Sequence, residues 1–306
     1  MRNPRLVCIG DLMLDVVVRA GAQLEPGSDT PGTVRFRLGG SAGNTCRAFV
    51  ALGGRASLVC AVGDDGLGRL LISAHRAEGV TVHAVRVRGR TPRLVAHVAS
   101  DGERSFVTDR GVADSLPPSA LNPRWFGRGN ILHVPAYSLL TSPLCDASAV
   151  AASLAGRGGG SVSLDLASRA PLLAAGPEWL RAVCGVVHPT FIFANRDEVV
   201  AVVGSDDPRP LLELTGVVVV KLGADGCRVL WHEPRGRGAM EIEVATKAIR
   251  AADTTGAGDA FAAGFLYGFF DTTPSRPFSQ ILRHAGLTGH HAAARALSRP
   301  RPELVL

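Results

Sequence analysis

Lysine is nearly missing from this chain. Only Lys221 and Lys247 stand among 33 basic residues, so arginine carries the formal net charge of +6. An arginine bias of this kind reflects composition more than a task. No Lys/Arg run with interleaved aromatics accompanies it, so nucleic-acid binding is not expected. An anionic small molecule such as a nucleotide suits the charge. Cys-x-x-Cys pairs are also absent. Cys8, Cys46, Cys60, Cys145, Cys184 and Cys227 are scattered through apolar segments, with no His at ligand spacing. That pattern speaks against a thiolate metal site and for buried thiols in a reducing compartment. No apolar run reaches the roughly 18 residues of a membrane span. The opening MRNPRLVCIGD meets an acid too soon for a signal h-region, so a cytoplasmic protein is expected. Internal repeats and low-complexity linkers are lacking too; GRGGGS (156–161) is short and reads as a loop.

What is plentiful is apolar residues, 46% of 306, enough for the core of one large α/β domain. LVCIG (6–10), ASLVCAVG (56–63), ILHVPA, SVSLDL, FIFAN and GVVVVKLG read as strands buried on both faces. Between them lie amphipathic or glycine-opened helices, including GLGRLLISAHRAEGV, CDASAVAASLAG and PEWLRAVC; PLLEL also reads as helix, and WHEPRGRG as a loop. Repeated βα units predict a parallel sheet covered by helices on both faces. Two patches, about 14–38 and 82–110, alternate apolar and polar instead. They are expected to form a small separate sheet projecting as a lid over a single domain spanning 1–306. Exposed lid edges favour pairing with a second subunit, so a homodimer through the lid strands is expected.

The chemistry concentrates in DTTGAGDAF (253–261), just before an apolar helical run. Small residues let backbone approach a ligand. The first turn of a helix has unpaired N–H groups and a partly positive end, which suits phosphate. Asp259 falls where a reacting phosphoryl group would lie. At a helix N-terminus its pKa is expected to stay low, leaving an ionised base for an attacking hydroxyl. An N-capping acid is the bland alternative. A dinucleotide fingerprint needs a third glycine where Phe261 stands, so an NAD-dependent oxidoreductase lacks its signature. A P-loop fails as well, because no glycine precedes Lys221 and no Ser/Thr follows it.

DTTGAGDAF resembles the C-terminal signature of the ribokinase-like, phosphofructokinase-B type family of carbohydrate and nucleoside kinases. GDLMLD (10–15), GGSAGN (39–44), RGVAD (110–114), NRDE (195–198) and KLGADG (221–226) resemble further family motifs in the same order. The resemblance implies a three-layer parallel-sheet core with a small β-sheet lid. It also implies an ATP-dependent kinase using Mg²⁺. Asp259 would be the catalytic base, and the amides of Gly256, Ala257, Gly258 and Asp259 an anion hole for the γ-phosphate. Asp15, with Asp11, Gly40 and Asn44, would hold the acceptor; Asn supplies both a donor and an acceptor for a diol. Asn195, Lys221, Gly223 and Gly226 would serve ATP, with Glu198 organising Mg²⁺ through water. Asn195 and Glu198 read equally as a helix-capping pair. Asp253 and the carbonyl of Thr255 match the family's monovalent-cation (K⁺) site, although ALSRPRPE lacks the R-G-A-like turn of its distal part.

Departures from the family patterns narrow the acceptor. Ser41 stands where ribokinases and phosphosugar kinases often carry Lys, and Arg47, Arg93 or Arg104 are the available substitutes. No acid follows ILHVPA near Ala136, which argues against ribose. An unphosphorylated sugar or sugar acid leads, and a nucleoside comes second, with Phe36 and Phe106 as a wall for its base. A catalytically silent small-molecule sensor is the binding-only rival. Asp165 and Arg169 are candidates either for the groove or for a salt bridge with each other. His290 and His291 have no metal-ligand partners.

Overall fold

Alternate residues of the central strands feed two different cores, and this fixes the layered architecture. The computed structural model describes all residues except 1–4, 100–103, 128, 234–237, 250, 252, 273–274, 300–301 and 306. The first part of the chain runs β1 (Arg5–Ile9), β2 (Met13–Ala20), β3 (Gly32–Gly39), α1 (Ser41–Ala51), β4 (Arg55–Gly63), α2 (Gly66–Ala77), β5 (Thr81–Val87), β6 (Arg93–Val98) and β7 (Arg104–Asp109). The middle runs β8 (Asn130–Pro135), α3 (Leu144–Arg157), β9 (Ser161–Asp165), α4 (Arg169–Ala175), α5 (Pro177–Val187), β10 (Phe191–Asn195) and α6 (Arg196–Val203). The last part runs β11 (Val217–Lys221), β12 (Cys227–His232), β13 (Ala239–Val244), α7 (Ala257–Phe270) and α8 (Phe278–Ser298).

Nine described strands form one sheet in the order β13-β12-β11-β10-β9-β8-β1-β4-β5. Its members are parallel from β11 through β5, while β12 and β13 add antiparallel at one edge. Leu6, Cys8, Phe191, Phe193, Val217 and Val219 face one core, shared with α1, α2, α7 and α8. Val7, Ile9, Ile192, Ala194, Val218 and Val220 face the other, shared with α3 to α6. A strand buried on both faces reads as a continuous apolar run because each side chain, up or down, meets a helix layer. The chain is thus a mixed α/β protein with a large, mostly parallel sheet and a small separate one.

The small sheet has the order β3-β2-β6-β7. This corrects the expected extent of the second lid segment. Residues 81–87 are not in the lid; β5 pairs in parallel with β4 as the last strand of the large sheet. Its alternation comes from being an edge strand with one face in water. WHEPRGRG is likewise no simple loop, since Trp231 and His232 end β12. PLLEL is a 3₁₀ turn over Arg209–Glu213 rather than an α-helix. One edge of the small sheet is met by the chain's own tail, where Leu304 N–H donates to the Phe36 carbonyl (2.9 Å).

The strand order reverses at β1. Its two neighbours, β8 and β4, lie on opposite sides, and the chain leaves toward each in turn. In open α/β sheets such a point opens a crevice beyond the carboxyl ends of the strands. Asp11, Asp165, Asn195 and Lys221 all stand at or just past those ends.

Candidate active site

One side of the crevice is acidic and buried. Asp11 and Asp15 are each only 3% exposed. Asp15 is held over Gly39, whose absent side chain is required: a Cβ there would overlap the Asp15 carboxylate. Gly40 has φ +92, and its Cβ would meet the Asp11 carbonyl at 2.6 Å. Only glycine fits this left-handed approach. It lets the first turn of α1 close on Asp11, whose Oδ1 accepts from the Ala42 amide (3.3 Å). Arg110 NH1 lies 3.7 Å from Asp11, and its guanidinium forms a forked pair with Asp114. The Tyr137 ring lies 5.6 Å from the Arg110 guanidinium carbon.

Asp259 enters from the opposite wall, in the first turn of α7. Its Oδ1 accepts from Ser41 Oγ (2.7 Å) and its Oδ2 from Asn44 Nδ2 (2.9 Å), both on α1. The Asn44 oxygen in turn accepts from Arg47 (2.8 Å), which pairs with Glu78 (3.5 Å). The expected low pKa is not what the site produces. Burial pushes Asp259 up to about 6, against the pull of the Ser41 and Asn44 hydrogen bonds and of Lys221, with nearby Asp165 raising it further. The dipole at a helix start still favours the ionised carboxylate, but here the cost of desolvating it prevails. Ser41 was absent from the expected site, and in sequence it lies 218 residues from its partner.

The turn ahead of α7 is shaped for an anion. Gly256 is left-handed at φ +80, and Gly258 faces Lys221, whose Nζ would lie 3.5 Å from a Cβ there. One expected amide is committed elsewhere: Ala257 N–H donates to the Thr254 carbonyl (3.2 Å). Gly256, Gly258 and Asp259 retain amides ahead of the intrahelical ladder.

Lys221 is clamped by Asp165, with Nζ 2.9 and 2.8 Å from the two carboxylate oxygens. Burial would lower its pKa, but Asp165 and Glu198 outweigh that and the net direction is up, so it stays charged. Asp165 therefore pairs with Lys221, and Arg169 is exposed on α4. Asn195 and Glu198 form a complete capping box: Glu198 accepts from the Asn195 amide and side chain (2.8 Å each), and Asn195 accepts from the Glu198 amide (2.8 Å). Burial pushes Glu198 to about 7. Both of its oxygens are engaged, so the donor set suits a hydrated cation reached through water rather than a bare one. Among the described residues, no group of three His, Cys, Asp or Glu could enclose a metal ion.

Behind the turn opens a cavity of ≈ 250 Å³ lined by Lys221, Gly223, Gly226, Gly258, Phe261 and His290, among others. Gly223 and Gly226 have φ +61 and +98. His290 is accounted for by a hydrogen-bond contact of 3.1 Å with the Val244 carbonyl. Asp253 and Thr255 lie elsewhere, on a second cavity of ≈ 320 Å³ between the small sheet and the end of α8. Arg19, Arg35, Arg37 and Arg299 share that lining. Phe36 packs on the main core and is no ligand wall, whereas Phe106 is 53% exposed. Of the proposed substitutes for the missing lysine, Arg47 supports Asn44; the side chain of Arg104 is outside the described set.

A buried carboxylate set between two further aspartates and a glycine turn, with the ≈ 250 Å³ cavity beyond it, is an arrangement that suits a phosphotransferase acting on an alcohol. The whole chain points the same way. Residues 3–303 match the pfkB family of carbohydrate kinases, and the protein belongs to that family. It is 30% identical over 314 residues to an ATP-dependent ribose-1-phosphate kinase of Halopiger xanaduensis, covering 97% of this chain and 95% of the relative. It is 29% identical over 279 residues to probable fructokinase-7 of Arabidopsis thaliana, covering 85% and 77%. Among solved structures, the adenosine kinase from Sinorhizobium meliloti superposes with a TM-score of 0.81 at 26% identity, covering 98% of this chain and 96% of that one.

Proposed function

We propose that this protein transfers the γ-phosphate of ATP to a hydroxymethyl group of a small sugar or sugar acid. The observation that carries the reading is the double duty of the turn 256–259. Its acid is hydrogen-bonded to α1, on the acceptor side, while Gly258 lines the cavity on the other. An acceptor held by Asp11 and Asp15 would present its hydroxyl to Asp259. Asp259 takes the proton as the oxygen attacks phosphorus, and the amides of Gly256, Gly258 and Asp259 meet the charge on the phosphoryl oxygens. Lys221, fixed by Asp165, keeps positive charge beside that path. Glu198 and Asn195 would hold Mg²⁺ through water, and the ion would offset phosphate charge.

Asp11, Asp15, Asn44 and Arg110 give the acceptor side hydrogen-bonding and charged groups, which suits a polyhydroxyl compound. A nucleoside is the second reading. It is favoured by Phe106, which shares a sheet face with Asp15 by strand register and remains exposed. The test is ADP release across a panel of sugars, sugar acids, sugar phosphates and nucleosides with Mg·ATP. Turnover on a polyol acceptor at kcat/KM above about 10⁴ M⁻¹s⁻¹ is expected. Release that no acceptor stimulates would remove the reading.

A further inference from the structure

The chain leaves the large sheet after β5 and enters the small one at β6, and Thr91 stands in that crossing, fully buried. Asp65, the residue ahead of α2, holds it at two points. Its Oδ2 accepts from the Thr91 amide (2.9 Å) and its Oδ1 from the Thr91 hydroxyl (2.6 Å). The same Oδ1 caps α2 by accepting from the Gly68 amide (2.7 Å). Thr91 Oγ1 in turn accepts from the Gly63 amide at the end of β4 (3.0 Å). Glycine at 63 permits the approach, since a Cβ there would lie 2.5 Å from both the Gly89 carbonyl oxygen and the Thr91 nitrogen. Burial works against ionisation of Asp65, yet the bonds from Thr91 and Gly68 and the charge of Arg93 prevail, and its pKa falls below the ordinary 3.8. Bonds to an ionised carboxylate are the stronger kind. Helix capping accounts for the Gly68 bond alone; the two from Thr91 tie the crossing to the large-sheet body.

Both neighbours of Thr91 pass that anchorage toward the crevice. The Pro92 carbonyl accepts from the amide of Leu14, the residue before Asp15, and the Arg90 carbonyl from the amide of Val112, close behind Arg110 (3.1 Å each). β6 then runs parallel to β2 with Leu94 in register with Asp15. Arg110 closes the circuit on the large-sheet side, 3.7 Å from Asp11. Asp65 bonds to Gly68 and Thr91, so its influence on the crevice passes through the crossing. We propose that Asp65 and Thr91 are positioning residues for the acceptor: they fix where the small sheet begins and thereby hold Asp15 and Arg110 at the crevice. The inference deepens the kinase reading and rests on it only for its kinetic arm.

Hydrogen exchange on the full chain, without ligand, tests the clamp directly. Thr91→Val removes the hydroxyl, and Asp65→Asn keeps an oxygen to cap α2 while setting an NH2 group against a donor. Amides of β2, β3, β6 and β7 should exchange at least about tenfold faster in both variants, with those of β8 to β11 within about twofold of the parent. Thr91→Ser, which keeps the hydroxyl, should return the small sheet to parent rates. Small-sheet amides at parent rates in a folded variant, or equal acceleration in both sheets, would overturn the proposal. If Thr91→Val does not fold, Asp65→Asn carries the test. The kinetic arm follows ADP release with D-fructose and with adenosine as acceptors. Acceptor KM should rise at least about tenfold in the variants while KM for ATP stays within about twofold; a rise shared by both would also overturn it. A parent that turns over neither compound counts against the kinase reading, and the exchange arm then decides.

Discussion

Replacing Ser41 with Ala isolates the hydrogen bond that most directly conditions the proposed base. The Ser41 Oγ to Asp259 Oδ1 distance is 2.7 Å, short enough for a charge-assisted bond worth about 1.5–3 kcal/mol to the ionised carboxylate. Losing even the lower figure raises the Asp259 pKa by about one pH unit. It would move from about 6 to about 7. Asn44 still holds Oδ2, and Asp165 and Lys221 act on Asp259 as before. The base works when ionised, so activity is retained at high pH and falls as pH drops through the pKa. Parent and variant should therefore differ little at pH 8.5, about twofold at pH 7, and close to tenfold at pH 5.5. The assay is kcat/KM for the acceptor against pH, read as ADP release at saturating Mg·ATP. Ser41→Thr, which keeps a hydroxyl, should restore much of the acid limb. If the Ser41→Ala profile were that of the parent scaled by a constant factor, Ser41 would be a packing residue and the argument would fail.

Three further outcomes are expected. Asp259→Asn should lose activity by at least about 10²-fold yet melt higher at pH 7. The folded pKa of about 6 lies above the ordinary 3.8, so the stability tied to this group is full below pH 3.8 and is lost as pH rises through 6. Relieving the buried charge is worth roughly 1–2 kcal/mol after allowance for partial exposure, and a melting gain that persists at pH 3.5 would contradict the assignment. Gly39→Ala must displace the Asp15 carboxylate, so acceptor affinity measured by calorimetry should fall at least tenfold with ATP-analogue affinity held; equal losses for both ligands would refute the two-sided layout. Asp165→Ala strands the buried Lys221 ammonium and should cost about 3–5 kcal/mol in urea unfolding, and a cost below about 1 kcal/mol would mean the pair is far better solvated than its geometry implies.

How far the sequence alone reached depends on whether a feature is local. Val217–Val220 announces a doubly covered strand because four consecutive apolar residues have no other stable home. The turn at 256–259 is equally plain, since its glycines and its acid are contiguous. Edges were harder to read. β5 alternates like a lid strand because it has one wet face, and only pairing with β4 assigns it. β12 and β13 escaped because antiparallel additions at an edge carry neither an apolar run nor a helix between them. The partners of the proposed base were hidden for a different reason: Ser41 and Asn44 reach Asp259 only once α1 and α7 have packed, and Lys221 finds Asp165 across 56 residues. Even the direction of the Asp259 pKa depended on burial, which no local motif encodes.

The division of labour along the chain has an evolutionary corollary. In the proposed assignment the acceptor residues Asp11, Asp15 and Asn44 sit within the first 44 residues, whereas Asn195 through Asp259 lie in the second half of the chain. Mutational drift in the N-terminal stretch can retune which alcohol is admitted without disturbing how the phosphate donor is gripped. Residues Ser41 and Asn44 are the exception, because their side chains cross between the two territories. Laboratory selection for new acceptors should therefore scatter changes around those two positions while leaving both untouched.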